Sequence, residues 1–196
     1  MRKQRISHVG AACIMLIIAA LALSCSDDDK MVTPTVWSWS PLGSGCDEYV
    51  EGSTVYNNKL IIAGQFAAAG GVSADHIASW NGASWSPLGA GLNSDIGALT
   101  VYDDQLIAGG WLTTAGGDSA KYIASWDGMS WSPLGLGMNN AVWALTVYNN
   151  KLIAGGQFTT AGGVNARYIA AWDGSSWSPL GTGMGAQVHS LTVYDN

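Results

Sequence analysis

The chain has 196 residues, with 14 Asp and Glu against 8 Lys and Arg, and a formal net charge of −6. An acidic balance of this kind argues against nucleic acid as a partner. Of its three cysteines, only Cys46 lies beyond residue 25, so the folded part holds no internal disulfide and its stability has to come from packing.

Arg2, Lys3 and Arg5 precede an apolar run from Ala11 to Leu23, 13 residues long and too short for a spanning helix. The run ends in Leu21-Ala22-Leu23-Ser24-Cys25, which resembles the lipobox of bacterial lipoproteins, where cleavage precedes a cysteine that carries diacylglycerol. The match departs in having Ala22 where that family has Leu, with Leu21 one place further out. The resemblance implies a signal peptide over residues 1–24, a lipid anchor at Cys25 and a place in a bacterial cell envelope. A plain secretory peptide is the other reading of the same layout. Loss of Arg2, Lys3 and Arg5 would take the net charge from −6 to −9. Residues 25–36, with Ser26-Asp27-Asp28-Asp29-Lys30 and Pro34, read as a flexible acidic tether. Acid directly after the cysteine also resembles the surface-export signals of some outer-membrane lipoproteins, a solvated spacer being the plainer alternative. The expected location is the outer membrane, surface-exposed, with periplasmic or secreted forms as alternatives.

Beyond the tether the chain repeats. The string WSPLG starts at Trp39, Trp85, Trp131 and Trp177, 46 residues apart each time, and the phrase VY keeps the same interval at Val55, Val101, Val147 and Val193. A period of this size marks a stacked or radial array whose units cannot bury their apolar faces alone. The copy from Ala141 to Gly181 contains four strand-like runs, AVWALTVY, KLIAGGQF, RYIAAWDG and SWSPLG, rich in β-branched and aromatic residues. Asn57-Asn58, Asp103-Asp104 and Asn149-Asn150 separate the first run from the second, residues that tolerate the positive φ of a two-residue hairpin. Asn81-Gly82, Asp127-Gly128 and Asp173-Gly174 separate the third from the fourth and predict another hairpin. Gly109-Gly110 and Gly155-Gly156 end the second run, and the glycines there call for a close approach by another group, for which Trp80, Trp126 and Trp172 are large enough. Those three and Trp39, Trp85, Trp131 and Trp177 hold the same place in every copy and are expected in the core. No helical period appears after the leader.

Four short antiparallel strands per 46-residue unit predict an all-β chain of β-propeller blades over residues 37–196. The residues resemble the kelch family at LTVY, LIAGG, Trp172-Asp173 and Trp177. The turn between the two tryptophans is tighter than in that family, and the first copy has Ala63-Gly64 in place of Gly-Gly. The phrase GGQFTTAGG followed by IAAWDGSSWSPLG is similar to kelch-like repeats of fungal cortical polarity-marker proteins and of bacterial surface proteins. The resemblance implies a propeller and is nearly silent on activity. Residues 36–196 hold 161 residues, about 3.5 blades, against the four to eight of a closed ring, so a truncated ring is the expectation.

In an array, positions that repeat serve the fold, so function is sought where copies differ. Glu51, Gly97, Trp143 and His189 form one such column at the start of the innermost strand, beside the varying segments 44–49, 90–95, 136–141 and 182–187. Glu51, Trp143 and His189, with Asp47, Glu48, Asp95, Asn139 and Asn140, are the candidate binding residues at one mouth of the ring. Ordinary loop drift is the competing explanation. An enzyme is not expected. Arg167 is the lone arginine of the repeats, too few for a sialidase-like carboxylate clamp. His76 and His189 fall in different columns, unlike a clustered copper site. No spacing singles out a pair among Asp47, Glu48, Glu51 and Asp95 for glycoside hydrolysis. Cys46 reads as a small apolar residue, since no histidine recurs beside it. The expectation is a non-catalytic binding or adhesion module for protein or glycan, without cofactor or metal. A glycan-active propeller enzyme and a structural envelope spacer are its alternatives.

Overall fold

A computed structural model describes residues 39–194. The leader at 1–24, Cys25, the tether at 25–36 and Trp37 lie outside the described residues. Three repeats follow one another. The first contains β1 (Val50–Tyr56), β2 (Lys59–Gly64), β3 (Ala68–Ala69), β4 (Val72–Ser73), β5 (Ile77–Trp80) and β6 (Trp85–Pro87). The second contains β7 (Ile96–Tyr102), β8 (Gln105–Gly110), β9 (Thr114–Ala115), β10 (Asp118–Ser119), β11 (Ile123–Trp126) and β12 (Trp131–Pro133). The third contains β13 (Val142–Tyr148), β14 (Lys151–Gly156), β15 (Thr160–Ala161), β16 (Val164–Asn165), β17 (Ile169–Trp172) and β18 (Trp177–Pro179). Each repeat builds a four-stranded antiparallel sheet, ordered β1-β2-β5-β6, β7-β8-β11-β12 and β13-β14-β17-β18, with a two-stranded hairpin inserted between its second and third long strands. No helix occurs among the described residues.

Turn chemistry sets the pairing. Asn57-Asn58, Asp103-Asp104 and Asn149-Asn150 all adopt positive φ, between 48° and 57°, as a two-residue turn matched to strand twist requires. The Asn-Gly and Asp-Gly sites behave differently. There the loop is four residues long, Trp126 pairs with Trp131 across it, and the leading side chain holds it together. Asp173 Oδ1 accepts from the Ser175 and Ser176 amides at 2.9 and 2.8 Å, and Asn81 Oδ1 does the same for Ala83 and Ser84 at 2.9 Å. The Ser176 amide first, then that of Ser175, holds the Asp173 carboxyl well below the usual carboxylate range. The Ser130 and Met129 amides lower Asp127 in the same way.

A carboxyl held low in the folded chain stabilises it above the unfolded value, near pH 4, and loses that contribution as pH falls toward the folded value. Asp127→Asn together with Asp173→Asn is therefore expected to melt like the wild type at neutral pH, because Asn81 makes the same bonds. Below about pH 4 it should retain stability that the wild type loses. Thermal melts from pH 7 down to about pH 2 check this, and parallel acid limbs would rule it out.

The sheets stack face to face. The second strand of each repeat is buried along nearly its whole length, because alternate side chains enter different cores. Ile61 and Ile77 pack with Leu106, Ala108 and Trp126 of the next repeat, and Ile107 and Ile123 pack with Leu152, Ala154 and Trp172. Hydrogen bonds join repeats at both edges of the sheets. The indole N–H of Trp85, Trp131 and Trp177 donates to the carbonyl of Leu42, Leu88 and Leu134, at 2.9, 3.0 and 3.1 Å. At the opposite edge, on the first strand, the Tyr56 and Tyr102 hydroxyls donate to the Asp104 and Asn150 carbonyls of the following repeat.

Two expectations change here. Trp39 is 58% exposed whereas Trp131 is 4% exposed. The string alone does not bury its tryptophan; a preceding leucine carbonyl and a third strand must also be present, and among the described residues Trp39 has neither. The group that approaches the glycine pair is also not a tryptophan. A Cβ on Gly109 would meet Val142 Cγ1 of the next repeat at 2.7 Å, and one on Gly110 would meet Ile96 Cα at 2.8 Å and the Asp95 carbonyl oxygen closer still. Trp126 instead covers Gly89, the glycine of the preceding WSPLG, where a Cβ would lie 2.9 Å from its ring.

Candidate functional site

Three columns of side chains meet at the end of the sheets where first strands begin and second strands finish. A break in register creates the first. Val50 pairs with Gly64 and Gly52 with Ala63, which leaves Glu51 as the extra residue of a β-bulge. Gly97 and Trp143 are the extra residues of the same bulge in the next two repeats. A bulged residue leaves the ladder and its side chain is re-aimed, which is why this column is free to vary. The price is the glycine opposite, Gly64, Gly110 or Gly156, because the bulge drives a backbone carbonyl into the space of its Cβ.

The second column, Gln65, Trp111 and Gln157, follows that glycine directly, each amide donating to a carbonyl just before the bulge, Tyr49, Asp95 and Ala141, at 2.9 Å. The third is His76, Tyr122 and Tyr168, held at φ of 62°, 65° and 67°. Elsewhere among the described residues, positive φ belongs to Gly, Asn or Asp. Left-handed backbone costs a side chain with a Cβ about 1–2 kcal/mol. It is held here by amide bonds to the Phe66, Leu112 and Phe158 carbonyls at 2.9 Å. Strain kept at one point in each repeat directs attention to the side chain it orients.

The columns touch. Gln65 Nε2 donates to Glu51 Oε1 at 2.8 Å. His76 Nδ1 lies 3.8 Å from Asp95 Oδ1 of the next repeat and 3.0 Å from the Gly64 carbonyl oxygen. Trp111 meets Tyr122 edge-on with ring centroids 6.5 Å apart. Trp143 stacks on His189 at 4.5 Å and 24°. His189 belongs to a segment that does not pair as a strand among the described residues, yet Val188 and Leu191 pack on Ile153, Ile169 and Ala171 of the third sheet. Gln157 Oε1 is buried with no partner among the described residues.

Other candidates have different work. Asp47 Oδ1 accepts from the Ala67 and Ala68 amides at 3.0 and 2.9 Å, as Asn93 Oδ1 does from Thr113 and Thr114 and Asn139 Oδ1 from Thr159 and Thr160. That column clamps the inserted hairpin to the loop before the first strand. Asn140 Oδ1 is taken by the Ala141 amide at 2.9 Å. Glu48 is exposed in the same loop. Cys46 bridges to Ala69 as Leu92 and Met138 bridge to Ala115 and Ala161. Burial first, and the Asp47 charge second, push its thiol up to about 11, so it remains protonated and unreactive near neutral pH.

Between the second and third repeats runs a groove of about 530 Å³, lined by Thr113, Ser119, Lys121, Tyr122, Leu136 and Thr160 among others. Its volume falls in the range of small-ligand sites. The sequence reading reached one wall of the groove, through Asn139 and the varying segment 136–141, but not the groove itself, because its walls come from two repeats. Nor did it reach the His76, Tyr122 and Tyr168 column, since an aromatic residue before Ile-Ala looks like the start of a strand.

No family model matches the chain and no curated protein matches it. Among solved structures it is similar to the computationally designed Ika4 protein, at 16% identity and a TM-score of 0.54, over 81% of this chain and 89% of that one. It is also similar to the computationally designed Ika8 protein, at 18% identity and a TM-score of 0.50, over 79% of this chain. The chain spans 43% of the Ika8 chain. At such identities the likeness carries the fold alone.

Proposed function

We propose that the repeats are blades of a kelch-like β-propeller, lipid-anchored at Cys25 on a bacterial envelope, which binds protein or glycan without catalysis. The binding face is the end that carries the bulges. One observation supports this most directly: each repeat places a differing residue, Glu51, Gly97 or Trp143, at a β-bulge, where the ladder makes no demand on it. The array thus keeps a constant frame while changing what it displays at one end, as a recognition surface requires.

The full-length chain, applied to an array of envelope glycans and proteins, is expected to give a saturable ligand. Replacing Glu51, Trp143 and His189 together with Ala should weaken that ligand at least about tenfold, roughly 1.4 kcal/mol, with circular dichroism unchanged. A full array without saturable binding, or a triple variant that binds as the wild type does, would remove the proposal.

A further inference from the structure

We infer that the ligand of this face is a neutral glycan chain, seated against Trp111 and Tyr122 and continuing into the groove between the second and third repeats. This rests on the binding function proposed above and adds its chemistry and its place.

The Trp111 ring is 45% exposed although its counterparts in the flanking repeats are glutamines. In the first repeat the two columns are in hydrogen-bond contact through Gln65 and Glu51. The same register in the second repeat sets Trp111 beside Gly97, which carries no side chain. A Cβ there would find a single neighbour, Glu51 Oε2 at 3.7 Å. The result is an indole plate next to open space, with a carboxylate on one side. Tyr122 meets the plate edge-on and also lines the groove, so plate and groove share that ring. Thr113, Ser119 and Thr160 are among the groove's lining residues, and the Thr113 hydroxyl accepts from Asn93 Nδ2 at 2.8 Å.

An exposed aromatic ring beside short hydroxyl and carboxylate groups suits a pyranose. The C–H face of the sugar covers the ring and its hydroxyl rim exchanges hydrogen bonds with the groove. Charge selects further. Asp47, Glu48, Glu51, Asp75 and Asp95 stand at this end of the sheets against Lys121 and Arg167, and a polyanionic glycan meets net repulsion.

The test titrates the full chain in detergent with cellohexaose, laminarihexaose, chitohexaose and mannohexaose, and with hexagalacturonate as the charged comparison. Tryptophan fluorescence and acrylamide quenching report the result. At least one neutral hexasaccharide should bind saturably and protect a tryptophan from acrylamide. Trp111→Gln, which installs the residue found at 65 and 157, should weaken binding at least about tenfold, whereas Trp39→Gln should leave it unchanged. The inference is overturned if no neutral hexasaccharide binds, if Trp111→Gln binds as the wild type does, or if hexagalacturonate binds best. Should the saccharides fail while the Glu51, Trp143 and His189 variant loses some other saturable ligand, the glycan falls and the binding function stands.

Discussion

Gly110→Ala is expected to destabilise the protein by about 3 kcal/mol or more, while Gly97→Ala stays within about 0.5 kcal/mol of the wild type. Both glycines belong to the same bulge. At Gly110 the new methyl would press on the Asp95 carbonyl oxygen and lie 2.8 Å from Ile96 Cα, and these are backbone atoms that no rotamer change can move. Relief requires the bulge to open, which would also break the Trp111 amide bond to Asp95. At Gly97 the nearest atom is the far end of the Glu51 side chain, 3.7 Å away, an ordinary contact. Guanidinium unfolding of the two variants measures the difference. Equal losses would mean that the bulge does not set the glycine.

The second large effect separates two tryptophans in identical strings. Trp131→Ala should cost about 3–5 kcal/mol, since it empties a buried site between the first and second repeats. Trp131→Phe should cost about 1–3 kcal/mol, because it keeps most of the ring but leaves the Leu88 carbonyl without its donor. Trp39→Ala should fall within about 0.5 kcal/mol of the wild type, as surface changes do. The leucines respond to the same contact: Leu134, bonded through its carbonyl to Trp177, is 7% exposed, and Leu180 is 39% exposed. Denaturant midpoints for the three variants test the argument, and a Trp39 variant as unstable as Trp131→Ala would refute the contact between repeats as the source of burial.

Much of the architecture is written in short strings. Alternating β-branched and aromatic residues place the four strands, and paired Asn or Asp residues place the tight hairpins, because both depend on neighbours within a few positions. The candidate site is legible only in part. Comparison of copies locates Glu51, Trp143 and His189, and the structure adds that the first two sit at a bulge and that Trp143 stacks on His189. Trp111 stands where the other copies have Gln65 and Gln157, but its exposure and its Tyr122 neighbour depend on contacts outside its own strand. Asp47 and Asn139 read in the sequence as candidate binding residues. Each is bound to a hairpin about 20 positions along the chain, a distance over which sequence neighbours say nothing.

The sequence by itself determined the all-β class, the four long strands of each repeat with their connecting turns, and the columns to compare, since these follow from local backbone preference and from repetition. Tertiary structure alone decided which tryptophans are buried, which group claims the space at each glycine, and where the groove runs. Those outcomes belong to surfaces between sheets, and a surface between sheets exists only after separate repeats have met.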